Sequence, residues 1–337
     1  MSQKGKGLIP PGLRYIAQNI ITKQDMFGVP SEQTASWAEG LDLPNSGETV
    51  FFAGCGYQYG DQLESMMSLL RMMDKSPIGA ELPMSLANLQ KEWGLDLAGL
   101  YQKIFVKQRS LERQPLRSAA RVLSNLGVDF GYLGEDEPCC GALLHFAGLQ
   151  EEFAENARKT HDNLKSHGVK RIIGIVPSCT YALRDLLPEY LDDYDLEVKH
   201  FSQVVAELIG SKELRFPEEA KVTYHDPCQL ARYLGITEEP RKVLSAIEGI
   251  EFVEPEGTTG EWATCCGGGG GFEVVFPELS EVLAVNRAQE LVDTGAQIIV
   301  TQCPGCIMQL KHGVKKLGAE NVEVLDLAQV IAMAMGV

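Results

Sequence analysis

Four short apolar runs recur along the chain, and each breaks at once into a turn that carries cysteine. They read "TVFFAGCGYQ" with Cys55, "RIIGIVPSC" with Cys179, "KVTYHDPCQL" with Cys228 and "IIVTQCPGC" with Cys303 and Cys306. Runs of this length, rich in β-branched and aromatic residues, predict strands. Between the strands of each pair the apolar spacing lengthens. "EEFAENARKTHDNLKSHG" places Phe153, Ala157, His161 and Leu164 at helical steps and ends on Gly168. "FPELSEVLAVNRAQELVDTG" offers Leu283, Val285, Leu291 and Val292, with Gly295 as a C-cap. Both patterns predict helices. Strand, helix and strand in that order predict parallel βαβ units, and cysteines at strand ends then converge at the carboxyl edge of a sheet, where such folds place ligands.

The order repeats. A lone cysteine after a strand, then a Cys-Cys-Gly, then a strand ending in Pro-x-Cys occurs twice, the middle member being "EPCCGALLHFAG" (Cys139, Cys140) and "ATCCGGGGGFE" (Cys265, Cys266). The fold class expected is therefore α/β, two pseudo-repeated small parallel-sheet, Rossmann-like domains. The first lies at 46–215 and the second at 216–337, joined through the charged stretch "SKELRFPEEA" at 211–220. Residues 1–45 form an N-terminal extension, a linker or partner-docking segment. Between Cys55 and Cys139 stand 83 residues, against 36 between Cys228 and Cys265, so the first half carries an insertion at about 64–113. Its "DQLESMMSLLRMM" and "SLANLQKEWGLDLAGLYQKIF" predict amphipathic helices, a cap on the first domain or a Met-rich docking face.

Composition narrows the function classes. With 45% hydrophobic and 23% charged residues the 337-residue chain is globular. A formal net charge of −16 argues against nucleic-acid or anionic-membrane binding, since phosphate recognition needs excess Lys and Arg, but leaves room for docking on a basic protein face. No apolar run reaches the length of a membrane span, the best being "LAQVIAMAMGV", and the opening "MSQKGKGLIPPGLRYI" breaks on two prolines before any signal-peptide core. The expected location is the cytoplasm, or the inner face of a membrane-bound complex. There, cysteines serve as metal ligands or redox groups more than as disulfides.

All nine cysteines belong to the two constellations. The second holds five thiols, one more than a tetrahedral zinc uses, and thiol-rich sites favour iron–sulfur clusters. The five glycines from Gly267 allow close backbone approach, and N–H groups from Gly267, Gly268 and Gly269 suit donation to cluster sulfur. A phosphate-cradling loop is the competing use, but no Gly-Lys-Ser/Thr follows. A metal-free dithiol oxidoreductase on Cys303 and Cys306 would leave seven cysteines idle, and a zinc-stapled scaffold would suit the first half alone.

Together with "GVDFGYLGEDEPCCG" and "YHDPCQLARYLGITEEPRKVL", these patterns resemble the duplicated cysteine-rich CCG domain of heterodisulfide reductase catalytic subunits of the B and D types. Relatives of that family serve lactate, glycolate and glycerol-3-phosphate oxidation and membrane-linked redox complexes. The resemblance spans about 46–337. It implies a noncubane-type [4Fe-4S] cluster on Cys228, Cys265, Cys266, Cys303 and Cys306, with Cys265 and Cys266 at the reacting centre. The first half departs from the pattern, since Val176 stands where the second half has Cys303. Cys55, Cys139, Cys140 and Cys179 then suit a cubane [4Fe-4S] cluster or zinc. The resemblance further implies a ferredoxin-like iron–sulfur subunit, or a flavoprotein subunit, as electron partner. The terminal acceptor is a small thiol/disulfide or quinone-linked group, or the chain acts purely as an electron-transfer subunit.

Other residues carry two readings each. His225 either moves a proton beside the second site or bonds a turn. Arg232, four residues past Cys228, offsets cluster charge or pairs with a surface carboxylate, and His145 stands five residues past Cys140. The carboxylates of "GEDEP" read as a solvated turn.

Overall fold

The computed structural model describes residues 9–59, 63 and 114–337. The predicted insertion at about 64–113, with both its helices, lies outside the described residues.

Among the described residues, seven strands form two wholly parallel sheets. β1 (Thr49–Phe52), β2 (Arg171–Gly174) and β3 (Glu197–His200) lie in the order β1-β2-β3. β4 (Leu214–Tyr224), β5 (Ile247–Val253), β6 (Ile298–Thr301) and β7 (Glu323–Asp326) lie in the order β5-β4-β6-β7. β6 is buried at every residue and so is β4 over Val222, Thr223 and Tyr224, where helices cover the sheet, while β4 is exposed at Arg215 and over 217–219. The first sheet also has a remnant of a fourth strand. Gly131 bridges Val50 in parallel, donating to the Thr49 carbonyl at 2.9 Å and accepting from Phe51 N at 2.7 Å. It occupies beside β1 the place β5 takes beside β4, so both halves share one strand order.

The repeat extends past the cysteines. β3 runs into the helix Phe201–Leu208 and β7 into Leu327–Met335, through "EVKHFSQVVA" and "EVLDLAQVIA". His200 and Asp326 cap these helices, with Gln203 and Gln329 reaching back to the cap N–H at 3.0 and 2.9 Å. The two terminal helices then cross over. Leu327–Met335 packs on Pro115–Asn125 of the first half, and Phe201–Leu208 on Glu238–Ser245 of the second.

Leu116, Val122, Leu327 and Ile331 consequently share one hydrophobic core with Val222 and Val300. Each such side chain, once buried, contributes about 1.5–3 kcal/mol. The stretch 211–220 runs into β4 rather than forming an exposed linker, and Leu214 and Phe216 are buried in that common core. Ile20 and Trp37 of the N-terminal segment join the core too, Trp37 lying edge-on to Phe51.

The helix Gln150–Ser166 buries Phe153, Ala157, His161 and Leu164, the face its spacing predicts. The helix Pro277–Val292 does not follow the large apolar residues. It buries Ser280, Ala284, Arg287, Ala288 and Leu291 and leaves Leu279 and Val282 exposed. The neighbouring helix Pro304–Lys316 explains why. A Cβ on Gly313 would stand 2.5 Å from the Ala284 carbonyl and 2.7 Å from Ala288 Cβ, so only small residues fit this crossing.

Candidate metal centres

Every cysteine sits at the carboxyl end of a sheet, and all nine are free. Cys55 lies in the short helix Gly54–Gln58 after β1, and Cys179 in Pro177–Tyr181 after β2. Cys228 follows β4 within a few residues, Cys303 caps the helix after β6, and Cys306 stands in its first turn.

The Cys-Cys-Gly turns are anchored alike. Gly141 has φ 74° and Gly267 has φ 80°, in the left-handed region that favours glycine. A Cβ would stand 2.5 Å from Asn156 Nδ2 at the first and 2.4 Å from the Ser280 carbonyl at the second, so each turn lies flat on the helix that follows. Asn156 Nδ2 and Thr160 Oγ1 both donate to the Cys139 carbonyl at 2.9 Å. Ser280 Oγ donates to the Gly267 carbonyl at 2.7 Å and receives Gln309 Nε2 at 2.7 Å.

The first centre gathers Cys55, Cys139, Cys140 and Cys179 around a cavity of about 370 Å³. Cys140 Sγ and Cys179 Sγ are 3.2 Å apart, beyond the roughly 2.05 Å of a disulfide. Val176, in place of a fifth cysteine, is buried. Glu137 corrects the reading of "GEDEP" as solvated. Its carboxylate accepts from Ala53 N and Gly54 N, both at 2.8 Å, and from Gln58 Nε2 at 3.1 Å, tying the two cysteine loops together. Burial pushes this carboxyl up to about 8, although the two backbone N–H groups pull it down. Glu135 and Asp136 are exposed as expected.

The second centre gathers Cys228, Cys265, Cys266, Cys303 and Cys306. Cys266 Sγ and Cys306 Sγ are 3.0 Å apart, and a ring nitrogen of His225 lies within 4.8 Å of both. Gly267 N donates to Cys265 Sγ at 3.4 Å, while Gly269 N donates to Glu273 instead. Gly268 packs against Gln309 and the Gly305 backbone. Arg232 reaches the carbonyls of Glu261 and Ala263 at 2.8 and 2.5 Å, holding the loop that leads into Cys265 rather than pairing with a carboxylate. His145 packs edge-on against Phe146 and Phe153.

Sequence reasoning missed three residues. Arg287 is wholly buried and donates to His225 Nδ1 at 3.1 Å. Its signal was present, an arginine at a buried step of the helix Pro277–Val292 beside Ala284, Ala288 and Leu291. Tyr57 donates its hydroxyl to Asp326, joining the first cysteine loop to the last strand. Neither partner of this pair announces the contact, which depends on the packing of the two halves. Gly56, beside Tyr57, brings the centres together, because a Cβ there would stand 2.7 Å from Pro304 Cγ.

Seven of the thiols, Cys55, Cys139, Cys140, Cys179, Cys228, Cys265 and Cys306, are pushed above the usual thiol range. Hydrogen bonding to Cys139, then burial, pushes Cys55 up, and hydrogen bonds to Cys266 push up Cys265 and Cys306. Burial, with Cys266 and Cys303 nearby, holds Cys228 at about 11. Cys266 alone is drawn down, as acceptor from Cys265 and Cys306. Ligation needs thiolates, so a cation must repay their deprotonation, and thiol sets of four and five fit sulfur-bound iron. A dithiol oxidoreductase needs an accessible, low-pKa attacking thiol. In the Cys-Pro-Gly-Cys turn Cys303 is partly exposed, while Cys306 is buried and pushed up by hydrogen bonds to Cys266 and Cys303, and this reading leaves the other seven cysteines without a role.

The cysteine-rich CCG domain matches residues 105–184 and 222–311. The D-type subunit of the dihydromethanophenazine:CoB–CoM heterodisulfide reductase of Methanosarcina acetivorans is 34% identical over 225 residues, covering 65% of this chain and 54% of that protein. The probable iron-sulfur-binding oxidoreductase FadF of Bacillus subtilis is 31% identical over 221 residues, covering 65% of this chain and 31% of that protein. The chain thus spans about half the length, or less, of these relatives. A hypothetical protein from Helicobacter pylori shares the fold, with a TM-score of 0.50 at 14% identity over 99% of this chain and 74% of that structure.

Proposed function

The chain belongs to the cysteine-rich CCG-domain family, and from that premise we propose that it is an iron–sulfur electron-transfer subunit of a multi-subunit oxidoreductase. In this reading the second half, 216–337, holds a noncubane-type [4Fe-4S] cluster on Cys228, Cys265, Cys266, Cys303 and Cys306. The first half holds a cubane [4Fe-4S] cluster or zinc on Cys55, Cys139, Cys140 and Cys179. Such clusters, when bound, supply one-electron redox chemistry at sulfur-ligated iron. The protein supplies thiolates, a Gly267 N–H toward Cys265, and loops pinned by Glu137 and Arg232.

One observation favours the second centre as the one that meets the acceptor. Three of its five cysteines, Cys228, Cys265 and Cys303, are partly exposed, against Cys55 alone of the four at the first centre. The first centre then relays electrons from a ferredoxin-like or flavoprotein partner, and the second passes them to a thiol/disulfide or quinone-linked acceptor. The presence of a heterodisulfide reductase among the relatives supports a disulfide acceptor. No helix of the described residues is long and apolar enough to cross a membrane, and a place on the inner face of a membrane complex belongs to the same proposal.

Iron, sulfide and zinc content of anaerobically prepared protein tests it, with electron paramagnetic resonance after mild oxidation in the presence of a thiol. About eight irons, with a thiol-dependent signal lost in Cys265→Ala, are expected for two [4Fe-4S] clusters with disulfide chemistry at the second. About four irons and one zinc would make the first centre structural. Protein without iron and sulfide would falsify the reading.

A further inference from the structure

Arg287 costs the fold a great deal for a residue that neither ligates nor reaches the surface. Its side chain is 0% exposed. Nη1 donates to the Thr258 carbonyl and Oγ1 at 3.1 Å each and to Glu290 at 2.6 Å, Nε donates to His225 Nδ1 at 3.1 Å, and Nη2 has no partner among the described residues. Burying a guanidinium with one amino group unsatisfied is expensive, so the contact it makes with His225 calls for a use.

That contact dictates a tautomer. A guanidinium donates through every nitrogen and loses no proton in proteins, so His225 Nδ1 is an acceptor and the ring hydrogen sits on Nε2. The backbone holds the ring in place, since His225 N donates to the Val300 carbonyl and Thr301 Oγ1 to the His225 carbonyl. Nε2 is buried and has no hydrogen-bond partner among the described residues. The imidazole lies within 4.8 Å of Cys266 Sγ and Cys306 Sγ. With Nδ1 committed to Arg287, the group left for the sulfurs is Nε2–H.

We propose that Arg287 is a positioning residue for the second centre, fixing His225 as the Nε2–H tautomer and aiming that N–H at the sulfurs of Cys266 and Cys306. The inference rests on the cluster assignment above for its redox consequence, though not for the tautomer itself. An N–H directed at ligand sulfur stabilises the added negative charge of the reduced state and so raises the reduction potential. The first centre is a built-in control. Phe52 stands three residues before Cys55, where His225 stands before Cys228, and offers no donor.

The test uses the anaerobically prepared, cluster-loaded full chain and reads the midpoint potential of each centre, together with the hyperfine coupling of exchangeable protons in H₂O and D₂O. His225→Leu and Arg287→Met should each move the second centre to more negative potential and remove the exchangeable-proton coupling that the His225 ring contributes, while that of the Gly267 N–H persists and the first centre is unchanged. The double variant should shift no further than either single one. His225→Gln carries an amide N–H that needs no tautomer lock, so it should hold the potential near wild type even with Arg287→Met. Shifts that add in the double variant, or that Gln does not rescue, would mean that Arg287 acts through its charge and would overturn the proposal. Strong nitrogen coupling from His225 as an iron ligand would overturn it as well. Should the protein bind no iron, the cluster assignment fails separately. The ¹⁵N shifts of His225 in the metal-free chain then decide the tautomer, with Nε2–H in wild type supporting the lock and a tautomer mixture sinking it.

Discussion

Tyr57 and Asp326 meet across the two halves, and their pairing sets two outcomes at the scale of single residues. Asp326 caps the last helix by accepting Ala328 N at 2.8 Å while its other oxygen takes the Tyr57 hydroxyl. Asp326→Ala removes a cap and strands a buried hydroxyl, an expected loss of about 2–4 kcal/mol in chemical denaturation. Asp326→Asn keeps the cap and should cost about half as much. Burial lifts the Asp326 carboxyl to about 6, against the pull of Tyr57 and the helix N–H. The folded state therefore keeps a proton that the unfolded chain releases near pH 4. Stability from this group is greatest below pH 4, falls as pH rises toward 6 and is flat above. Denaturation midpoints of wild type and Asp326→Asn should diverge between pH 4 and 6, and parallel curves would refute the assignment. At this scale the sequence announces its cysteines, because thiols in a doubled order have few other uses. Glu137 is hidden within a run of surface-type carboxylates, and its inward turn follows only from the placement of Ala53 and Gly54.

Helices show where pattern reading succeeds and where it stops. Gln150–Ser166 buries the face its periodicity predicts because it packs through side chains of ordinary size. Pro277–Val292 lies too close to Pro304–Lys316 for that, so Ala284 and Ala288 face inward while Leu279 and Val282 face out. Hydrophobicity alone ranks these residues the wrong way round. Gly313 is the one sequence sign of the close approach, and Gly313→Val should break it. A Cβ already meets the Ala284 carbonyl at 2.5 Å, so overpacking of about 1–3 kcal/mol or more is expected in a thermal or denaturant melt. The crossed terminal helices escape sequence reading for another reason, since "EVKHFSQVVA" and "EVLDLAQVIA" reveal a repeat but not which half each helix covers. Ile331, buried in the helix that packs on Pro115–Asn125, ties the second half to the first. Ile331→Ala should cost about 2–5 kcal/mol, and the loss should appear equally in hydrogen exchange of both helices.

The whole molecule is organised around closeness. One core spans both sheets, so unfolding should be a single transition in which spectral signals from the two centres disappear together. Two separate transitions would mean that the halves fold independently despite the crossed helices. The same closeness bears on the proposed electron relay. Gly56 leaves no room for a Cβ beside Pro304, so the turn carrying Cys55 rests directly on the turn carrying Cys303. If both centres hold clusters, reducing both should produce magnetic interaction between them, and the electron paramagnetic resonance spectrum should not be the sum of two isolated signals. Cys179→Ala should remove the first centre and leave the second with a simple spectrum of its own. A wild-type spectrum that equals the sum would separate the clusters and leave the relay without its shortest path. An interaction spectrum that simplifies in the variant would place the first centre where a relay must be, one turn of chain behind the centre proposed to meet the acceptor.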